Sequence, residues 1–407
     1  MRISMVSEHA NPLATLGEVD AGGQNLHVAE LSGALCGQGH RVTVYTRRDD
    51  PDAPERVRAD SGYEVVHVPA GPARYLPKDE LLPHMAEFGR FLAGEWYRDQ
   101  PDVVHAHFWM SGLASLLAAR EADLPVVQTF HALGVVKRRH QGPADTSPPD
   151  RVRMERLIGK NAAQLAVTCS DEVFELVRLG LPRTRMSVVP CGVDLDRFTA
   201  EGKVAGRGAK HRVVSVGRLV PRKGFATAIS ALPAVPDTEL VIAGGPAQGR
   251  LSEDEEACRL NELARRRGVA DRVHLLGQVS RSDMPALLRS ADLVVCTPWY
   301  EPFGMVPLEA MAGGVPVVAA AVGGLTDTVV DGVTGELVPP RRPEALASTL
   351  RRLLDDPAQR EAYGVAGMDR ARSRYSWDRI GTDILRVYEK ALNQRAPVRT
   401  RRPAAPA

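Results

Sequence analysis

No stretch of this chain approaches the roughly 20 consecutive apolar residues that a membrane-spanning helix needs, and the first residues lack the basic start and long apolar core of a secretory signal. Cysteine is sparse: Cys36, Cys169, Cys191, Cys258 and Cys296 are odd in number and irregularly spaced. That pattern excludes a disulfide framework and a paired-cysteine zinc site. Charge of one sign is missing too. With 52 Lys+Arg against 50 Asp+Glu the formal net charge is +2, so no overall field draws the chain to nucleic acid or to an acidic membrane. Also absent are a Gly-x-Gly-x-x-Gly after the first strand, a Gly-x-Ser-x-Gly elbow and a Walker loop. These absences weigh against a nicotinamide-dependent dehydrogenase, a serine hydrolase and a P-loop enzyme. The expectation is a protein of the reducing cytoplasm with no integral membrane segment and no nucleic-acid partner; nothing signals an oligomeric state.

What is present is alternation. A chain of 407 residues is too long for one ordinary core and suits two domains. Short β-branched runs alternate with helix-period stretches. Strands are expected at 2–6, 41–45, 63–68, 102–106, 125–130, 165–168 and 186–189, then at 212–216, 239–243, 272–275, 292–296 and 315–319. The fold class is therefore α/β, with parallel sheets wound by helices on both faces. A Gly- and Lys-rich stretch without periodicity, 200–210, reads as a linker. Residues 1–197 are then one domain and 212–373 a second. A last amphipathic helix over 374–393 is a candidate to cross back to the first domain. Residues 394–407, with Arg399, Arg401 and Arg402 among Pro and Ala, read as a disordered tail.

Four segments carry chemistry. Gly22-Gly23-Gln24, after Asp20-Ala21, opens a helix, where backbone N–H groups and the helix dipole suit an anion; a tight turn without ligand is the plain alternative. Arg218 and Lys223 follow the first strand of the second domain, at the strand end where open parallel sheets bind ligands. Their cations suit phosphate oxygens. Glu301 and Glu309 bracket a Gly-containing loop (Gly304, Met305) that enters a helix, placing carboxylates for hydroxyls beside amides for phosphate. His105, His107 and His131 stand at strand ends, where at least one is expected to face a crevice; no further ligand is spaced to complete a metal site. Asp194-Leu195-Asp196 matches a metal-binding pattern but sits in a turn, and is read as structural.

Taken in order, these segments resemble family 4 of the retaining glycosyltransferases, whose GT-B fold faces two Rossmann-like domains across a cleft. The resemblance spans about residues 1–392. It implies transfer of a hexose or N-acetylhexosamine from a nucleotide diphosphate donor, most commonly UDP, to a small polar acceptor (a sugar, cyclitol or secondary metabolite). By that resemblance Arg218 and Lys223 neutralise the diphosphate, Glu309 holds the ribose, and Glu301 holds the sugar with Gly304 and Met305. Gly22 and Gly23 close on the β-phosphate, and His131 stands beside the transferred sugar. No cofactor and no metal are implied. The first domain is most similar to the branch with mycothiol-pathway inositol-phosphate N-acetylglucosaminyltransferases and sucrose-forming enzymes, through Asp20–Asn25, Lys78 and His105-Ala106-His107-Phe108-Trp109. That branch assigns Asn25, Lys78, His107 and an arginine within 151–156 to the acceptor side. Phe108 stands where it has a tyrosine and Ala132 where it has a threonine; the two lost hydroxyls point to a different acceptor. A sugar-nucleotide epimerase, a phosphorylase, and a non-catalytic nucleotide-sugar binding protein are the competing readings.

Overall fold

The computed structural model describes residues 1–14 and 22–394. Asp20 and Ala21 of the glycine loop, and the tail from residue 395 with Arg399, Arg401 and Arg402, lie outside the described residues.

The first domain runs β1 (Arg2–Val6), α1 (Gly23–Gly37), β2 (Arg41–Arg47), β3 (Arg56–Arg58), β4 (Glu64–Val68), α2 (Met85–Arg98), β5 (Val103–His107), α3 (Trp109–Ala122), β6 (Val126–Thr129), α4 (Gly134–Gln141), α5 (Arg151–Asn161), β7 (Gln164–Val167), α6 (Ser170–Arg178) and β8 (Met186–Val188). The second runs β9 (His211–Val216), α7 (Phe225–Ala231), β10 (Thr238–Ala243), α8 (Glu255–Arg266), β11 (Val273–Gly277), α9 (Met284–Arg289), β12 (Leu293–Cys296), α10 (Met305–Ala312), β13 (Val317–Ala320), α11 (Leu325–Thr328), β14 (Gly335–Val338), α12 (Pro343–Asp355) and α13 (Pro357–Arg374). A final helix, α14, spans Trp377–Asn393.

The sheets have eight and six strands, ordered β3-β4-β2-β1-β5-β6-β7-β8 and β11-β10-β9-β12-β13-β14. Every pairing is parallel except β3 with β4. Strand order reverses beside β1 in one sheet and beside β9 in the other, and such switch points open a crevice at the strand C-termini. Strands β6, β10 and β13 are buried along their whole length; β13 accordingly reads as a continuous apolar run, while β6 and β10 also bury Gln128, Thr129, Thr238 and Glu239.

Two strands were not expected. β3 is a charged three-residue edge (Arg-Val-Arg) and β14 a four-residue Gly-Glu-Leu-Val; both are too short for periodicity to register. The runs expected from 125 and 315 begin later, at Val126 and Val317, because Pro125 and Pro316 have no N–H for the ladder.

Residues 200–210 form no helix or strand, yet this stretch is pinned to the second domain. Arg289 donates to the carbonyls of Thr199 (3.0 Å) and Lys203 (2.9 Å), and the Gly208 N–H to Glu239 (3.1 Å). The chain passes between domains where Val193 N–H donates to Tyr375 O at 2.7 Å, so both crossings lie side by side. Beyond them α14 turns back onto α1 and β5–β7, burying Ile380, Ile384, Val387, Tyr388 and Ala391 on one face. Its Tyr388 hydroxyl meets His105 Nδ1 at 2.8 Å.

Candidate active site

Between the sheets lies a cavity of about 430 Å³ whose walls come from both domains. Gly22, Gly23, Asn25, Lys78, His131, Arg218, Lys223, Glu301, Gly304, Met305 and Glu309 all line it. The tertiary structure thus gathers residues that lie almost 290 positions apart in the chain.

On the second domain, the β9 end delivers Arg218 and a short turn delivers Lys223. Lys223 Nζ contacts Glu301 Oε2 at 2.5 Å. Burial alone would raise the Glu301 carboxyl, but Lys223, then Arg222 and Arg218, hold it below the ordinary carboxylate range. Glu301 is therefore an anion inside a cluster of cations, surrounded by the groups that would meet a diphosphate. Its loop is held by close backbone contact: Gly324 N–H donates to Glu301 O at 2.9 Å, and a Cβ on Gly323 (φ +50°) would lie 2.2 Å from that same oxygen. Gly304, in the left-handed region at φ 89°, then turns the chain into α10, whose first N–H groups have no partner within the helix.

Glu309 sits one turn into α10. Burial raises its carboxyl and Arg281, 3.9 Å away, opposes this. Arg281 also reaches Glu30 of α1 at 3.1 Å, a bridge between the domains. Arg281 and Arg222 line the cavity but were not singled out from sequence. Arg281 belongs to an isolated loop, so only position marks it; Arg222 lies in the chain between Arg218 and Lys223.

On the first domain, Gly23 faces Met305 across the crevice, where a Cβ would stand 3.2 Å from Met305 Cε. Asn25 lines the cavity but caps its own helix: Oδ1 accepts from Gly22 N–H at 3.0 Å, and Nδ2 donates to Asn11 O at 3.0 Å. Lys78 Nζ stands 5.7 Å from the Phe108 ring centroid and Arg151 Cζ 5.0 Å from it. Arg151 is committed elsewhere, with Nε on Glu155 (2.8 Å) and Nη2 on Ala132 O (2.7 Å).

The histidines divide by task. His105 is a satisfied core residue. Thr129 Oγ1 donates to Ala166 O at 2.9 Å, so it accepts from His105 Nε2 at 2.9 Å, and Tyr388 supplies a proton to Nδ1. Burial lowers His105 to about 3. His107, expected on the acceptor wall, requires correction. It is fully buried, does not line the cavity and stands behind His131, with Nδ1 at 2.9 Å from His131 Nε2. Strict strand alternation explains this, since β5 is covered on both faces. His107 Nε2 has no partner among the described residues. A bare lone pair there is better tolerated than an orphaned N–H, so His107 donates through Nδ1 and leaves the His131 proton on Nδ1. His131 itself has φ 58°, a strained conformation for a non-glycine residue. Burial, then neighbouring His27 and His105, hold it well below 6.5, so it is a neutral ring.

His27, which sequence reading missed, joins His107 and His131 with ligating atoms within 4.8 Å of one another, the spacing of a three-imidazole metal site. His27 Nδ1 contacts Cys191 Sγ at 3.2 Å and His107 bonds His131, so the cluster is organised by its own hydrogen bonds. Asp194 Oδ1 accepts from the N–H groups of Asp196 (3.2 Å) and Arg197 (3.0 Å), the turn-capping role expected for it.

Comparison with known proteins agrees with this geometry. The family described as Glycosyltransferase Family 4 matches residues 21–197, and that described as Glycosyl transferases group 1 matches 196–370. The D-inositol 3-phosphate glycosyltransferase of Xylanimonas cellulosilytica is 38% identical, over 97% of this chain and 98% of its own. That of Kribbella flavida is 36% identical over 97% of each. Among solved structures, sucrose-phosphate synthase of Thermosynechococcus elongatus superposes with TM-score 0.88 at 30% identity, covering 97% of this chain and 99% of that one. Anabaena HepE, solved with UDP, has TM-score 0.72 at 20% identity over 96% and 100%. No helix among the described residues is long and apolar enough to cross a membrane. Two switch-point crevices sharing one cation-lined cavity, with relatives alike from end to end, make this chain a GT-B glycosyltransferase of family 4, acting on a nucleotide-sugar donor.

Proposed function

We propose that the enzyme transfers a hexose or N-acetylhexosamine from UDP-sugar to a neutral polyhydroxy acceptor, with retention and without a metal or cofactor, in the cytoplasm. The observation that carries the reading is the Glu301 carboxylate held among Lys223, Arg222 and Arg218 at the cavity wall. Fixed cations of this kind stabilise the charge that develops on a departing nucleotide diphosphate. Glu301 then meets sugar hydroxyls, Glu309 the ribose, and the α10 N-terminus with Gly22 and Gly23 the phosphates. Retention fits attack from the face the leaving group vacates, the acceptor proton ending on the departing phosphate. UDP rests on the commonest use in the resembled family.

The acceptor reading departs from the printed name of the relatives. Phe108 and Ala132 offer no side-chain hydroxyl, and Arg151 is neutralised by buried Glu155. An acceptor phosphate would therefore meet few new hydrogen bonds on this wall.

Thermal unfolding against UDP, GDP, ADP and TDP and their sugars tests the donor. A nucleotide at 100 times its Kd stabilises the native state by about 2.7 kcal/mol, and the UDP series is expected to give the shift. No shift with any nucleotide would sink the reading. Sugar transfer is expected to survive chelator; loss on chelation with recovery on adding a divalent ion would overturn metal independence. Turnover of donor without acceptor to an isomeric nucleotide sugar would favour an epimerase.

A further inference from the structure

Two residues of the cavity wall hold backbone conformations that a side chain disfavours, and they stand at neighbouring strand ends. Phe108, just past β5, has φ 79° and ψ 160°; His131, just past β6, has φ 58°. The two strands pair in parallel up to His107 opposite Thr129, which sets the strained positions close together. Around His131 the chain folds back in a three-residue turn, Ala132 N–H donating to Phe130 O at 2.7 Å. With a positive central φ this is the rare, strained form of such a turn. Strain of that kind persists only where the surroundings over-determine it.

The surroundings that do so are buried and polar. Gln128 Nε2 donates to Phe108 O at 3.0 Å and to Thr129 O at 2.9 Å, tying the two strand ends together. Gly112 leaves room for that amide, since a Cβ there would stand 2.1 Å from Gln128 Oε1. Beyond His131 the turn is clamped twice by α5. Arg151 Nη2 donates to Ala132 O at 2.7 Å, with its guanidinium carbon 5.0 Å from the Phe108 ring centroid. Glu155 Oε1 accepts from Arg151 Nε at 2.8 Å, and both its oxygens accept from Gly134 N–H at 2.9 Å. Gln128, Arg151 and Glu155 are buried, and none of the three lines the cavity. Their contacts are therefore with the turns that carry Phe108 and His131, and not with the space a substrate would fill.

We propose that Gln128 and Glu155, the latter together with Arg151, are positioning residues for His131, holding its strained turn so that the imidazole stays on the cavity wall. The inference rests on the transferase reading, in which His131 stands beside the transferred sugar. Without the clamp the turn relaxes toward negative φ and carries the ring away from the reacting centre. Misplacement of about 1 Å can cost about 10² in rate. Donor affinity is set on the opposite wall, by Arg218, Lys223, Glu301 and Glu309, and is left in place.

The test is a double-mutant cycle on kcat, the KM values and the thermal shift with UDP, using His131→Ala, Glu155→Gln, Gln128→Met and each of the last two combined with His131→Ala. His131→Ala is expected to lose about 10²-fold in kcat, and Glu155→Gln and Gln128→Met about tenfold each, all keeping the UDP shift. In the His131→Ala background neither second change should lower kcat further by more than about threefold, because the group they position is gone. A loss that persists in full in that background shows a general structural role and overturns the proposal. So do single variants with kcat within about threefold of wild type, or a loss confined to KM. If Glu155→Gln does not fold, Gln128→Met decides it on the same cycle. The strain has its own readout: His131→Gly should melt at a higher temperature than His131→Ala, since glycine takes φ 58° freely. Equal melting would overturn the claim that the clamp holds a strained turn. Failure of wild type to bind UDP would instead strike the donor reading, and the two failures are thereby distinguished.

Discussion

Lys223 Nζ stands 2.5 Å from Glu301 Oε2, so two residues expected to serve different parts of the donor form one charge pair in the folded chain. The pair is only partly shielded, with side chains 22% and 15% exposed. Each neutralises the other in the folded chain; on the proposed reading, an entering donor would draw Lys223 to its phosphate and offer hydroxyl donors to Glu301. The site is thus charged in advance of its ligand without leaving an unpaired carboxylate.

Removing one partner should therefore do more harm than removing both. Lys223→Ala is expected to lower kcat/KM by well over tenfold, since charge-assisted contacts are worth about 1.5–3 kcal/mol. It should also lower Tm by leaving Glu301 among fewer cations. Glu301→Gln added to it should restore part of the Tm but none of the transfer. Additive effects on Tm would show that the pair does not couple.

The Glu301 loop depends on Gly323 as much as on its own residues. A side chain there would meet Glu301 O at 2.2 Å and sit at φ +50°. Gly323→Ala is expected to displace the loop and reduce UDP binding at least tenfold, with a stability loss of about 1–3 kcal/mol. Calorimetric binding of UDP at wild-type strength would refute the claim that this backbone contact sets the loop.

A pH signature should come from Glu172, behind the cavity-lining Thr168. Burial pushes its carboxyl up to about 7, against the Thr168 N–H and O–H bonds at 2.7 and 2.8 Å. A raised carboxyl means that the native state holds the proton longer than the unfolded chain. The stability so conferred is present below the unfolded value and is lost as pH rises through about 7. Glu172→Gln, always neutral, should show a smaller fall in Tm than wild type between about pH 5 and pH 8. Equal falls in the two proteins would mean that Glu172 does not carry the effect.

Acceptor choice is expected to turn on two hydroxyls. Phe108→Tyr with Ala132→Thr should raise kcat/KM for a phosphorylated cyclitol relative to its neutral parent by about tenfold or more, the gain from two hydrogen bonds at about 1 kcal/mol each. Competition between the two acceptors reads this ratio directly. An unchanged ratio would place acceptor discrimination elsewhere, with Lys78 the next residue to vary.

The sequence alone determined the fold class and named many of the residues that line the cavity, because both depend on local signals. Alternating apolar runs identify buried parallel strands, and a glycine or cation just after such a run must lie at a strand end. Arg218 and Lys223 were legible in this way, Gly22 from its place at a helix start, and Glu301 and Glu309 from the Gly-containing loop that they bracket. Tertiary structure decided which side chains meet. His107 and His131 lie at similar strand ends, but the packing of β5 under α14 buries the first and leaves the second at the cavity. Arg281 and His27 carry no local signal, since one acquires its role from Glu30 and Glu309 and the other from His131 and Cys191. Glu8 and His9 are adjacent in sequence, yet the burial of the Glu8 carboxylate and its contact with Ser111 of α3 exist only in the folded chain. Hydrogen-bond partners and desolvation depend on distance in space, and periodicity along a chain does not encode them.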